Sequence, residues 1–217
     1  MPLEDRDVIK VNYIGRIQSS GEIFDLTDQE VAEEEGIDQE DRELKPVKIV
    51  LGEGYILESL EDKIKDLDVG EKESFEIPKE DAFGSRESDK IETISRREFE
   101  EHEVRPHRGM PVEIDGKQGK ILSASSGRVK VDFNHPLAGR DLEYTVEVLD
   151  KIEDMEEQVK AVLEFHGLGD ADIDIDEEEG NVKVDAGELP EELTERMEEE
   201  LEKLEKVEKA SLSAGED

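Results

Sequence analysis

Residues 8–17, VIKVNYIGRI, carry apolar side chains at nearly every second place, with Val11, Tyr13 and Ile17 on one side, which predicts a β-strand. After the turn SSG the pattern resumes in EIFDLT as a second strand. TDQEVAEEEG predicts a short helix, capped by Thr27 or Asp28 and stopped by Gly36. PVKIVLGEG predicts a strand that runs into glycines. In YILESLEDKIKDLDVG the spacing of Leu57, Leu60, Ile64 and Leu67 predicts an amphipathic helix closed by Gly70. EKESFEIP predicts a strand with Phe75 and Ile77 on one face.

The texture changes over 89–133. DKIETIS predicts a strand, SRREFEEH one or two helical turns, and MPVEIDGKQGKILSASSGRVKVDF three short strands turning at Asp115-Gly116 and Ser126-Gly127. The block has the look of a small α+β module set into something else. From 154 the pattern changes again. Met155, Val159, Val162 and Leu163 make one helical stripe, ADIDID and NVKVD alternate strictly, and Leu193, Met197, Leu201 and Leu204 make a second stripe before a last strand in EKASLSA. The order α-β-β-α-β suits a small helix-on-sheet domain, with a solvated or coiled-coil helix as the other reading of the acidic stretch. A domain of about 60 residues has a marginal core. It is expected to gain stability by docking on the rest of the chain or on a second copy, giving a homodimer through the C-terminal domain at high salt.

Composition narrows the function classes. The net charge is −36, from 64 acidic against 28 basic residues, so nucleic acid and anionic membranes are poor partners. Hydrophobic residues are 34% and charged residues 42% of 217, a balance that fits either disorder or a folded protein with an acidic, salt-adapted skin. The regular apolar alternation favours the folded reading, with salt screening its self-repulsion. There is no cysteine, hence no disulfide or thiol chemistry. No apolar run is long enough for a membrane span, and MPLEDRDVIK lacks the features of a secretory signal, so a cytoplasmic location is expected.

Four stretches in order, VNYIGRIQSSGEIFD, IVLGEGYILESLEDKIKDLDVGEK, EDAFG and NHPLAGRDLEYTVEVLD, resemble the FKBP-type peptidyl-prolyl isomerases, most nearly the long SlyD-like group of archaea and bacteria. The resemblance covers 1–153, and with less specificity the tail resembles the C-terminal extension of the long archaeal members. It implies an α+β fold: an antiparallel half-barrel sheet wrapped on a short helix (1–88 and 134–153), a small α+β insert in the flap (89–133), and a C-terminal α-β-β-α-β domain (154–217). NHPLAG is then the point where the chain returns from the insert to the last strand of the isomerase sheet.

The resemblance also implies a pocket. Carried over position by position, it consists of Tyr13, Phe24 and Asp25, Ile56 and Leu57 at the start of the pocket helix, Leu60 at the floor, Phe83 of AFG and Tyr144 of the last strand. Two departures bear on macrolide inhibitors of the family: Phe83 lacks the hydroxyl many members carry, and Ser59 stands where a glycine is common. The implied chemistry is rotation of X–Pro bonds in unfolded or proline-containing polypeptides, with no cofactor or metal. An apolar slot favours the twisted, less dipolar amide over the planar one, and Asp25 acts near the twisting carbonyl or orients Tyr13. Without the resemblance, the six apolar pocket residues read as core, Tyr13 as a half-buried strand residue and Asp25 as a turn former. Phe99, Ile114, Ile121 and Leu122 are expected to be exposed on the insert for client capture. A holdase chaperone without isomerase activity is the alternative function.

His102, His107 and His135 do not make a metal site by spacing, because HEVRPH lacks i, i+4 histidines and Pro106 breaks a helix there. DADIDIDEEEGN departs from the EF-hand pattern and reads better as a strand.

Overall fold

The strand β1 (Val8–Ile17) is the axis of the first sheet in the computed structural model, which describes residues 3–37, 44–187 and 189–213. It pairs antiparallel with β9 (Leu142–Ile152) along its whole length, Val8 opposite Ile152 and Ile17 opposite Leu142. On its other side lie β2 (Ile23–Leu26) and β3 (Val47–Val50), one at each end. β4 (Lys72–Ile77) pairs with the far edge of β9. Along β9 the residues Leu142, Tyr144, Val146 and Val148 are buried while Glu143, Thr145 and Glu147 are half-exposed, so the alternation in LEYTVEV is one face meeting the core. Each aliphatic chain fully buried this way contributes about 1.5–3 kcal/mol.

Two short helices accompany this sheet. α1 (Gln29–Glu35) is capped by Asp28, whose carboxylate accepts from the amides of Glu30 and Val31, and is stopped by left-handed Gly36. α2 (Glu58–Ile64) packs against β4. It is shorter than its apolar spacing predicts, because Leu57 is its N-cap in extended backbone and the helix ends at Lys65; Leu67 is buried beyond it.

The chain divides into two compact units, one made of the residues up to Ile77 with those from Leu142 on, the other of Pro78–Asp141. Ile77 and Leu142 face each other as a pair of β4 and β9. A chain that leaves the sheet after Ile77 therefore comes back to it at the adjacent strand position.

The C-terminal elements are α4 (Met155–Phe165), β10 (Asp172–Asp176), β11 (Asn181–Asp185), α5 (Glu191–Leu201) and β12 (Lys209–Ser213). β11 pairs antiparallel with β10 and parallel with β12, with α5 as the crossover. Ala214, the end of the expected last strand, lies outside the described residues. The core under α4 and α5 is continuous with the first sheet: Met155, Val159, Val162, Leu163, Met197 and Leu201 share one apolar cluster with Val8, Val50 and Ile152. The segment expected as a third domain thus docks on β1, β3 and the end of β9 of its own chain.

The unit Pro78–Asp141 holds a four-stranded antiparallel sheet in the order β5-β8-β7-β6, made of β5 (Ile91–Ser95), β6 (Pro111–Ile114), β7 (Lys117–Ala124) and β8 (Arg128–Asp132), with α3 (Arg96–Glu101) after β5. Asp115 (φ 51°) and Gly116 (φ 73°) make the two-residue hairpin turn between β6 and β7. Among the described residues no helix is long and apolar enough to cross a membrane.

Candidate functional site

The site grows from an irregularity between β1 and β2. Asp25 faces Gly15 and Ile23 faces Arg16, so Phe24 has no partner across the ladder. Neighbouring strand residues face opposite ways, but such a bulge re-aims one of them. Phe24 and Asp25 consequently both reach the same aromatic pair. The Phe24 ring meets Tyr144 edge-on with 5.6 Å between centroids, and Tyr13 lies 6.2 Å from Tyr144. Gly15 makes room for this. A Cβ there would stand 2.6 Å from Phe24 Cζ and 3.1 Å from Tyr144 Cε1. The signal for Gly15 was in the sequence, as a lone glycine inside the strand pattern VNYIGRI.

Tyr13 is fixed at both ends. Its amide donates to Thr27 Oγ1 at 2.9 Å, and its carbonyl accepts from the Thr27 amide at 3.0 Å. Its hydroxyl donates to Asp25 Oδ2 at 2.6 Å, while Asp25 Oδ1 accepts from the Leu26 amide at 3.0 Å. Burial first, and then the nearby Asp25 charge, push the Tyr144 phenol up to about 12, so it keeps its proton at neutral pH. The result is a partly buried aromatic cluster packed over Gly15, with one oriented carboxylate–phenol pair at its side.

Ile56 and Leu57 are half-buried at the entrance to α2, and Leu60 is buried one turn in. α2 packs on β4, whose Phe75 lies opposite Tyr144 on β9. The loop leading to Ile56 is tied down twice. Glu61 Oε2 accepts from the Gly52 amide at 3.1 Å. The Tyr55 hydroxyl donates to Glu200 of α5, and the other oxygen of that carboxylate is 2.7 Å from His166 Nε2. The Tyr55 ring also stacks on Phe165 with centroids 3.7 Å apart. No local pattern in the sequence links Tyr55 to Glu200 or His166.

Phe83 belongs to the unit Pro78–Asp141, where its ring stacks on His135 of NHPLAG at 4.0 Å and 11°. The two motifs meet again where the Gly139 amide donates to the Gly84 carbonyl at 2.7 Å. The expectation of exposed capture residues is corrected for two of four. Phe99 and Ile121 are 6% and 1% exposed and form the core of this unit with Val129 and Val131. A sheet this small needs its large apolar residues inside. Ile114 and Leu122 are half-buried. Leu122, with Val112 and Pro111, lines an open cleft of about 1430 Å³ within the unit. Among the described residues no group of three or more His, Asp or Glu is arranged to hold a metal ion.

Comparison with known proteins covers both units. Residues 2–101 match the family of FKBP-type peptidyl-prolyl cis-trans isomerases, and residues 93–137 match the family described as FKBP26, IF domain. A short-type peptidyl-prolyl cis-trans isomerase of Methanocaldococcus jannaschii is 33% identical over 144 residues, 66% of this chain and 90% of that protein. The FKBP-type peptidyl-prolyl cis-trans isomerase SlyD of Helicobacter pylori is 31% identical over 151 residues, 66% of this chain and 80% of that protein. The FKBP-type 16 kDa peptidyl-prolyl cis-trans isomerase of Escherichia coli is 36% identical over 111 residues, 49% of this chain and 74% of that protein.

Proposed function

Because this chain belongs to the FKBP-type peptidyl-prolyl cis-trans isomerases, we propose that it rotates X–Pro bonds of unfolded polypeptides in the aromatic recess over Gly15 and holds those polypeptides with the unit Pro78–Asp141. The observation that carries the first part is the pairing of Phe24 and Tyr144 over a residue with no side chain.

The chemistry follows from the bond. Resonance across C–N sets a barrier of about 18–20 kcal/mol. Twisting ends that resonance, weakens the amide dipole and makes the nitrogen pyramidal. Water solvates the planar dipole better than the twisted form, so a recess that removes water favours the transition state over the ground state. Phe24 and Tyr144 supply that surface, together with Ile56, Leu57 and Leu60 at the entrance and first turn of α2. The Tyr13–Asp25 hydrogen bond gives Asp25 an orienting role: it holds the Tyr13 hydroxyl in one direction beside the recess. No proton transfer or covalent intermediate is required. Phe83, the remaining pocket residue implied by the family resemblance, stacks on His135 within the unit Pro78–Asp141.

Client capture is supported by the cleft lined by Pro111, Val112 and Leu122, which offers apolar surface in a unit with its own core. The test is a protease-coupled assay on a proline tetrapeptide in molar salt, beside suppression of aggregation of an unfolded protein. Acceleration of the tetrapeptide supports the isomerase reading. Suppressed aggregation with no acceleration would replace it with a holdase.

A further inference from the structure

The charge of this protein is distributed unequally between its two units. Pro78–Asp141 carries 12 Lys and Arg against 13 Asp and Glu, a net of −1, while all other residues carry 16 against 51, a net of −35. Within the near-neutral unit, the cleft gathers four cations, Arg86, Arg108, Lys120 and Arg140, against two carboxylates, Glu113 and Asp132. Asp132 is already engaged: Arg86 pairs with it and Asn134 Nδ2 donates to it at 2.7 Å. Burial opposes its ionisation, but the Asn134 hydrogen bonds and the Arg86 charge outweigh burial and hold it below the ordinary carboxylate value. Arg108, Lys120 and Arg140 are exposed, and among the described residues their side chains make no ion pair. Three uncommitted cations therefore face one uncommitted carboxylate around an apolar floor.

We propose that this cleft is a binding site for acidic, extended polypeptide segments, its apolar floor taking the client's hydrophobic side chains and Arg108, Lys120 and Arg140 taking flanking Asp and Glu. This rests on the capture role given to the unit above and names the client class. A body of net charge −35 repels an acidic chain at every approach. The cleft is where the sign reverses, so it both attracts such a client and fixes where it lands. An extended segment suits an open cleft with an apolar floor better than a polyphosphate backbone does, since a phosphate chain has nothing to place on Leu122 and Val112.

The test uses the full chain and three labelled, proline-free peptides with one apolar centre and flanks of Asp/Glu, Ser/Gln or Lys/Arg. Their affinities are read by fluorescence anisotropy at the lowest salt that keeps the circular dichroism of the folded protein, and again in molar salt. The acidic peptide binds tightest, and the triple variant R108Q/K120Q/R140Q weakens it by about tenfold while changing the Ser/Gln peptide little. R128Q, an exposed cation of the same unit away from the cleft, changes neither. Lys120→Glu moves the preference toward the Lys/Arg peptide, a gain that misfolding cannot imitate. The preference narrows in molar salt, where the screening length is about 3 Å. Equal binding of all three peptides, or tightest binding of the basic one, overturns the acidic preference but leaves capture standing. No binding of any peptide overturns both. Displacement of the acidic peptide by oligothymidylate at equal charge would reassign the site to polyanions in general.

Discussion

Tyr55, on the loop that leads into α2, donates its hydroxyl hydrogen bond to Glu200 on α5, nearly at the other end of the chain. The same carboxylate meets His166, and both partners are largely buried, His166 at 10% and Glu200 at 7% side-chain exposure. Tyr55 is followed directly by Ile56 and Leu57. The C-terminal segment thereby holds the loop that carries two residues of the proposed proline recess.

Tyr55→Phe keeps the ring stack on Phe165 and removes only the hydroxyl. The expected loss is about 1.5–3 kcal/mol, the range for hydrogen bonds to charged groups, read as a lower denaturation midpoint. A pH signature identifies the cause. Burial, and then the Glu200 hydrogen bond, raise the Tyr55 phenol, and Tyr144 is raised to about 12. Unfolded tyrosines ionise near 10, so between these values the folded state binds more protons than the unfolded one. Stability is fully present below about pH 10 and falls as the pH rises toward 12. Tyr55→Phe with Tyr144→Phe should flatten that alkaline slope in melts taken across the range.

Ending the chain at residue 153 should destabilise the first unit. Val8, Val50 and Ile152 would lose their cover from α4 and α5, at up to about 9 kcal/mol if all three became fully exposed, and Tyr55 would lose Glu200. Tetrapeptide turnover should fall with the folded fraction. A truncated chain with an unchanged melting temperature would show that this cluster contributes nothing to stability.

Gly15→Val should push the Phe24 ring off Gly15 and disrupt the proposed recess. Its Cβ lies inside the contact distance of Phe24, and shifting a packed ring costs about 1–3 kcal/mol, so kcat/KM on tetrapeptides drops by about tenfold or more while the sheet still forms. Asp25→Ala should reduce turnover by a moderate factor only. On the proposed role of Asp25 in orienting the Tyr13 hydroxyl, Tyr13→Phe should have a similar effect and the double variant little more than either. Complete loss of activity in a folded Asp25→Ala protein would call for an acid–base mechanism instead.

Glu61 is buried at 3% exposure, and its Oε1 has no hydrogen-bond partner among the described residues. Desolvation raises its carboxyl above the ordinary value, against the Gly52 amide and Lys65. A raised carboxyl binds its proton more tightly in the folded state, so it lowers stability as the pH rises from the ordinary carboxylate range through the folded value. Glu61→Gln still accepts from Gly52 without a buried charge. It should raise the melting temperature at neutral pH, and the gain should shrink in acid.

Local periodicity made much of this fold legible. The alternation in LEYTVEV and NVKVD, the stripe of α4, and Asp28 and Gly36 as the ends of α1 all follow from contacts within one element. Tyr13, Phe24, Asp25 and Tyr144 were legible only through a family resemblance, because residue by residue they are ordinary strand positions; the bulge that brings them together depends on register, which no single strand specifies. The buried position of Phe99 and Ile121 is not legible in the sequence for a related reason. Apolar residues in a small sheet look the same in sequence whether they cover a client or the sheet's own interior. Tyr55, His166 and Glu200 come from three distant elements with no shared spacing.

The pairing of β1 with β9 also dictates an order of assembly on the ribosome. β1 is made almost first, yet its full-length partner ends at Ile152 and the cover over Val8 comes later still. Pro78–Asp141, by contrast, draws its sheet and core from one uninterrupted stretch. During synthesis the proposed client-holding unit is complete while the catalytic sheet still has an open edge, and domains fold as units as they emerge. On the proposed division of roles, the nascent chain completes its client-holding unit before its isomerase sheet, with its own unfinished N-terminal strands as the nearest acidic, unfolded polypeptide.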